Sequence, residues 1–363
     1  MIKDPSKHLL PKFLHESGFL RLFVASQRNK IAILMLHGVI DPDTSAAWKP
    51  LRSQLSTEQL TRALSVLASY YHFVSLSEAV EMLAGTRPLI PNSLVLTFDD
   101  GYRNNLTFAL PILRRFKAPA TMFLCTGNIT KQTPFWFDRL DYAVQSMAHE
   151  STSRHVIPEL MEIDFSNKEA LKKSFTTFIR KEKKRYTTDT DMRSAMANLT
   201  ERLEQHSGHG LAEIFANDPW SGILNWEEIR EVAALGVHFG SHGVDHTLLG
   251  LVPLSIARQE FIESQKMIEY YTGQPCIHLA YPDGSFNQEV ISLARDCNYT
   301  SAVTIVSGLN QPGDEALALR RIAFPHSDSP AEVIIAASGL SAQWQKVKKN
   351  IPNLYSTGRK KIQ

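Results

Sequence analysis

SLVLTFDDGY, residues 93–102, is the stretch from which the fold is read. Ser93 to Asp100 reads as a strand buried on both faces, because its first six residues are a short and mostly apolar run. Two carboxylates follow directly. Burying such a pair without partners would be costly. One aspartate can be explained as the N-cap of a helix predicted over 102–116, but a cap uses only one. Neighbouring strand residues point to opposite faces, so Asp99 and Asp100 can serve one site only where the strand has ended. Gly101 permits the turn this requires.

Working outward, the same unit recurs. Strands are predicted at Ile31 to Val39, Phe73 to Leu76, Ala120 to Thr126, Val237 to Ser241, Cys276 to Tyr281, Ser301 to Ile305 and Arg321 to Phe324. Helical patterns lie between them: Ser56 to Tyr71, Ser77 to Leu83, Asn225 to Leu235, Pro253 to Tyr271 and Asn287 to Cys297, with a last helix near Ser329. Asn225 with Glu228 three residues on is a capping-box signature. Repeated strand–helix units imply an α/β fold with a mostly parallel sheet and helices outside. Sites in such folds gather at the carboxyl ends of the strands. His37, Asp99, Asp100, His242, Asp283 and His326 each fall at or just past such an end.

Between residues 133 and 218 the rhythm stops, and helical periodicity and charge take over. This segment reads as a helical insertion in a barrel loop. The expected layout is a helical segment over 1–30, a barrel over 31–330 interrupted by the insertion, and a helix with a basic tail over 331–363. Phe135, Trp136 and Phe137 open the insertion. Trp136 either stacks on a substrate ring or anchors the insertion.

SHGVDH (Ser241 to His246) carries the second signal. Histidines four apart share one face of a helix or helical turn, which suits two imidazoles on one metal. Taken with a carboxylate from the double aspartate, they leave coordination positions open, as in a catalytic metal site. His238, earlier on the same strand, is expected to pack in the core or behind the site.

Together, TFDDGY (Thr97 to Tyr102) and SHGVDH resemble the two main motifs of the polysaccharide deacetylases, also called the NodB-homology or carbohydrate esterase 4 family. The resemblance spans Ile31 to Phe324 around the insertion. It implies a distorted (β/α) barrel of about seven parallel strands. It also implies Asp99 as general base and Asp100, His242 and His246 as ligands of a divalent metal, usually zinc. The family's third motif, R-x-P-Y-G, corresponds here to Ala280, Tyr281, Pro282, Asp283 and Gly284. Tyr281 and Asp283 are placed at the oxyanion and substrate, with the Asp283 backbone N–H stabilising the oxyanion. The family arginine that orients the base is replaced by Ala280, and Arg320 or Arg321 could substitute for it. No late L-x-H histidine is evident, so His326 and His37 compete for the role of catalytic acid.

The implied reaction is hydrolysis of an N-acetyl group on a sugar, within a polysaccharide or a lipid-linked precursor. The alternatives are an O-acetyl esterase acting on glycans and a catalytically weak protein that binds glycan or a partner. Composition agrees with a globular enzyme: of 363 residues 43% are hydrophobic and 21% charged, and the net charge of +2 selects no partner. Basic residues cluster at Lys172 to Arg185 and at Lys346 to Lys361. Each cluster reads as a solvated face or as a contact with an anionic membrane surface or a polyanionic glycan. No nucleic-acid motif accompanies them, so no nucleic-acid partner is expected. Three unpaired-looking cysteines, the absence of a recognisable secretory signal and the absence of a long apolar run give a cytoplasmic expectation, at the inner face of the membrane.

Overall fold

The computed structural model describes residues 18–149 and 157–340. Ten strands form in chain order: β1 (Ala32–Leu36), β2 (Val39–Ile40), β3 (Leu55–Ser56), β4 (His72–Phe73), β5 (Ser93–Phe98), β6 (Ala120–Leu124), β7 (His238–Ser241), β8 (His278–Ala280), β9 (Ser301–Val303) and β10 (Ile322–Ala323). Seven of them run parallel in the order β10-β1-β5-β6-β7-β8-β9 and curl into a half-barrel with helices around it. The short β4 pairs with the first two residues of β5. All six residues of β5 are buried, as its unbroken apolar pattern requires. β5 pairs with β1 over Ala32↔Leu94 to Leu36↔Phe98, which carries His37 and Asp99 to the same rim.

The first strand is shorter than the expected span of residues 31–39. It stops at Leu36, and β2 joins β3 in a separate two-stranded parallel sheet. The cause lies in the helix after β5. The side chain of Asn105 donates to the His37 carbonyl at 2.7 Å, and Asn104 Oδ1 accepts from the Val39 N–H at 3.3 Å. Two asparagines thus take the backbone groups that a longer strand would have offered to the sheet.

The helix after Tyr102 also departs from regular form. Its turn Asn105–Ala109 is π-helical, between α-helical residues 103–104 and the α-helix Leu110–Arg115. Pro111 has no N–H to donate to the preceding turn, and the widened turn accommodates its ring. The capping box read from the sequence forms between Asn225 and Glu228, and Ser56 also boxes with Gln59. His238, expected in the core or behind the site, is exposed at the start of β7.

Three long helices, α1 (Trp136–Ser146), α2 (Lys168–Arg185) and α3 (Asp189–Ser207), make up most of the segment between β6 and β7. They share an apolar cluster of their own that includes Leu140, Val144, Phe175, Phe178, Met196 and Leu203. Leu51 and Leu248 from the barrel loops join it, so the segment is packed onto the rim of the barrel. Trp136 packs against this cluster, the anchoring alternative. No described helix is long and apolar enough to cross a membrane. The expected basic tail beyond residue 340, and the first part of the helical segment expected over 1–30, lie outside the described residues.

Candidate metal and catalytic site

β5 delivers the two aspartates. The Asp99 N–H still donates to the Leu36 carbonyl at 2.9 Å, continuing the ladder. The chain then turns through two left-handed residues, Asp100 (φ 77°) and Gly101 (φ 82°). Aspartate tolerates this region better than most residues. His246 (φ 56°) and Asp283 (φ 51°) share the same conformation. Among the described residues seven non-glycines have positive φ, and three of them meet here. Such concentration of backbone strain is typical of functional sites.

Asp99 and Arg321 form a buried, two-pronged ion pair, Nη1 to Oδ1 and Nη2 to Oδ2, both at 2.7 Å. Arg321 is only 1% exposed. It also donates from Nε to the Thr304 carbonyl (2.9 Å) and from Nη1 to Thr97 Oγ1 (3.2 Å). Burial alone would raise the Asp99 carboxyl, yet Arg321, with His242 and His37, holds it well below the usual carboxylate range. Of the two arginines offered by the sequence, Arg321 is therefore the one at the base. Arg320 instead pairs with Asp314 at 2.8 Å and donates to the Leu309 carbonyl.

Asp100 faces the histidines. Its Oδ1 lies 3.6 Å from His242 Nε2 and 3.6 Å from His246 Nε2, and no donor reaches it. His242 Nδ1 bonds the Ala280 carbonyl at 2.8 Å, so that nitrogen carries the proton and Nε2 presents its lone pair. Burial lowers the pKa of both histidines, which keeps the imidazoles neutral. Burial, with the charges of Asp99 and Asp283, pushes Asp100 up to about 6. A buried carboxylate oxygen without a donor, converging with two neutral imidazole nitrogens, fits a divalent cation. Ligands at about 2.1 Å in tetrahedral geometry stand roughly 3.4 Å apart, close to the spacings here.

The two histidines do not share a helical face as expected. Residues 242–246 form an irregular loop after β7. Glu260 holds it: its Oε2 accepts from the Val244 N–H (2.6 Å) and the Asp245 N–H (3.3 Å), and its Oε1 from the Thr247 hydroxyl (2.9 Å). Gly243 is required at this approach, because a Cβ there would stand 2.6 Å from Glu260 Oε2. Nothing in the sequence around Glu260 marks it as a brace.

A cavity of about 250 Å³ opens over the site. The barrel lines it with His37, Asp100, His246 and Asp283, and the insertion with Phe175, Ile179 and Lys183. Lys183 is ion-paired with Asp283 and lies over the Trp136 ring at 5.6 Å. Arg52 also lines the cavity, ion-paired with Asp138 and 4.8 Å from the Tyr102 ring. Neither cation stands out in the sequence. Lys183 was hidden in a basic run, although Phe175, Ile179 and Lys183 recur at four-residue spacing on one helical face.

Two expected site residues are placed elsewhere. The Tyr281 side chain is fully buried in the core, stacks on Phe286 and donates to the Leu317 carbonyl at 2.9 Å, so it is a packing group. His326 is exposed and does not line the cavity, because the chain leaves the rim after β10; its electrostatic neighbours are Gln54 and Lys172. Asp283 occupies the mouth, and among the described residues no carbonyl accepts from its N–H.

The profile of the family described as polysaccharide deacetylase matches residues 86–161 and 181–302, more than half of the chain and both aspartate and histidine motifs. The chain belongs to the polysaccharide deacetylase family. The break in the match, 162–180, falls in the insertion, and Arg321 lies beyond the matched residues. The Bacillus subtilis protein YxkH, whose name places it among polysaccharide deacetylases, is 30% identical over 100 residues. That stretch is 27% of this chain and 36% of YxkH, so the chain matches about a third of that relative's length. Among solved structures, the Streptococcus pyogenes deacetylase PplD, in complex with acetate, superposes with a TM-score of 0.54 at 19% identity, over 85% of this chain and 98% of PplD. IcaB from Ammonifex degensii gives 0.54 at 18% identity, over 85% and 97%. At these identities the family fold is what is shared.

Proposed function

We propose that this chain is a metal-dependent carbohydrate deacetylase, hydrolysing the N-acetyl group of an amino sugar in a polysaccharide or glycolipid precursor to acetate and the free amine. The observation that carries the reading is the ionised Asp99, locked by Arg321, beside three converging ligand atoms under a cavity. A divalent ion, zinc by the chemistry of one carboxylate and two imidazoles, would be held by Asp100, His242 and His246, and would polarise an acyl oxygen and acidify water.

The chain's own groups divide the remaining work. Arg321 keeps Asp99 charged and fixed in orientation, and each Asp99 oxygen retains a lone pair to accept a proton from attacking water. The unused Asp283 N–H is a donor for the oxyanion. His37, on the cavity wall, is the group we assign to protonate the departing amine. Phe175 and Ile179 supply apolar surface at the edge of the cavity. The proposed place of action is the cytoplasmic face of a membrane, where exposed Lys173, Arg180 and Lys184 on α2 would meet anionic headgroups.

The test is acetate release from N-acetylated saccharides and lipid-linked sugars by zinc-loaded, chelated and Asp99→Asn protein. Release should require metal, and Asp99→Asn should lower turnover by about 10²–10⁴ while metal stays bound. Turnover surviving in Asp99→Asn would refute the assignment of the base.

A further inference from the structure

The two metal-site histidines are secured differently. His242 has the usual arrangement, a ring nitrogen bonded to a carbonyl that fixes the imidazole from behind. His246 has none: its buried Nδ1 finds no protein partner among the described residues. Its ring lies against the edges of Phe135 and Phe137, at centroid distances of 5.9 and 5.5 Å, contacts that set a plane but not a depth. The position of Nε2 is therefore set by the His246 backbone, which is held at φ 56°.

That backbone is gripped from the insertion. Arg193, on α3, donates from Nη2 to the His246 carbonyl at 2.5 Å. Its Nε is held by Asp189 Oδ2 at 2.6 Å, one turn earlier on α3. The other oxygen of Asp189 accepts from the Leu248 N–H at 3.2 Å. One ion pair thus bonds the loop at two points flanking Thr247. Glu260 holds the same loop from the barrel side, at Val244, Asp245 and Thr247. The insertion alone reaches the His246 carbonyl. Asp189 is buried and Arg193 mostly so, which makes these charge-assisted bonds stronger than exposed ones.

We infer that Asp189 and Arg193 are positioning residues for His246, and that the helical insertion is by this contact a structural part of the metal site. The inference rests on the reading that Asp100, His242 and His246 hold a divalent ion. Partners that orient metal ligands typically contribute 10–100-fold in metal affinity. The Asp189–Arg193 pair acts on the backbone of the ligand instead of on its ring, and the same range is expected.

The experiment measures zinc affinity by competition with a chromophoric chelator, and the visible spectrum of the cobalt-loaded protein. It compares the full-length chain with Arg193→Met, Arg193→Lys and Asp189→Asn. Arg202→Met is the control: it lies on the same helix but loses only a pair with Glu159, well exposed and away from the loop. Arg193→Met should bind zinc at least about tenfold more weakly and alter the cobalt spectrum. Arg193→Lys, which keeps one donor, should recover part of the affinity, and Arg202→Met should match the unsubstituted chain. If Arg193→Met does not fold, as judged by circular dichroism, Asp189→Asn, which removes a charge without changing shape, carries the same expectation. Affinity and spectrum unchanged in the folded Arg193 or Asp189 variants, or a loss shared by Arg202→Met, would overturn the inference. An unsubstituted chain that binds no metal would overturn the metal reading itself, and this inference with it.

Discussion

Replacing Arg321 with Met should turn the strongest electrostatic contact of the site into its largest liability. The substitution keeps the bulk of the side chain but strands the Asp99 carboxylate, 2% exposed, without its two charged bonds at 2.7 Å. Removing one partner of a buried pair typically costs roughly 3–5 kcal/mol, because the remaining charge is uncompensated. The pH dependence separates this cause from simple loss of packing. In the native chain the Asp99 pKa is depressed, so its contribution is present above the unfolded value of about 3.9 and is lost only as pH falls below the ordinary carboxylate range. Without Arg321, burial governs and the pKa is raised. The stability is then full below about pH 4 and is lost as pH rises toward neutrality.

The two curves should therefore diverge with rising pH. Urea denaturation in the presence of chelator, at pH 4.5 and 7.5, would measure the gap. It should approach roughly 3–5 kcal/mol at pH 7.5 and be clearly smaller at pH 4.5. In an Asp99→Asn background, Arg321→Met should cost far less, since it then removes an unpaired buried cation. The bonds from Arg321 to Thr304 and Thr97 are lost in both backgrounds and cancel in the cycle. A gap independent of pH, or equal in both backgrounds, would refute the argument.

Two further outcomes follow from the site. His37→Ala should lower kcat by about 10² or more if His37 protonates the leaving amine, whereas His326→Ala should change it less than about twofold; steady-state acetate assays would show the reverse if the acid were His326. Metal affinity should fall as pH drops below about 6, because Asp100 must lose a proton to bind. Competition titrations should show proton release on binding in that range, and a flat profile from pH 5 to 7.5 would contradict the Asp100 environment.

The parts of this molecule that were legible in the sequence are those decided locally. The six residues of β5 declare their burial by composition, and Asn225 declares a helix start by the residue three positions on. The aspartates and histidines stand at strand ends, where a parallel sheet collects side chains. What was not legible depends on distant packing. The break after Leu36 is made by Asn104 and Asn105, nearly seventy residues later. Histidines four apart are as compatible with an irregular loop as with a helix, and distant side chains, Glu260 from the barrel and the Asp189–Arg193 pair from the insertion, hold the loop. The choice between Arg320 and Arg321 turns on which side of the chain entering β10 faces the barrel interior.

Ala280, which stands where the resemblance implies an arginine, shows why that choice mattered. What the site needs is a guanidinium at the back of Asp99, and a barrel offers more than one strand from which to supply it. β10 pairs with β1, and β1 with β5, through Leu34 opposite both Ile322 and Leu96. Arg321 stands one residue before Ile322, so it starts two strands from Asp99. Strands are spaced about 4.8 Å apart, so two spacings come to roughly 9.6 Å, which the arginine and aspartate side chains span together within the interior. It passes Thr97 on the way and bonds it. On the other side of the barrel, the carbonyl of Ala280 holds His242 Nδ1, a contact that needs no side chain at that position. With the cation supplied from β10, position 280 is needed only for its backbone, and an alanine is sufficient there.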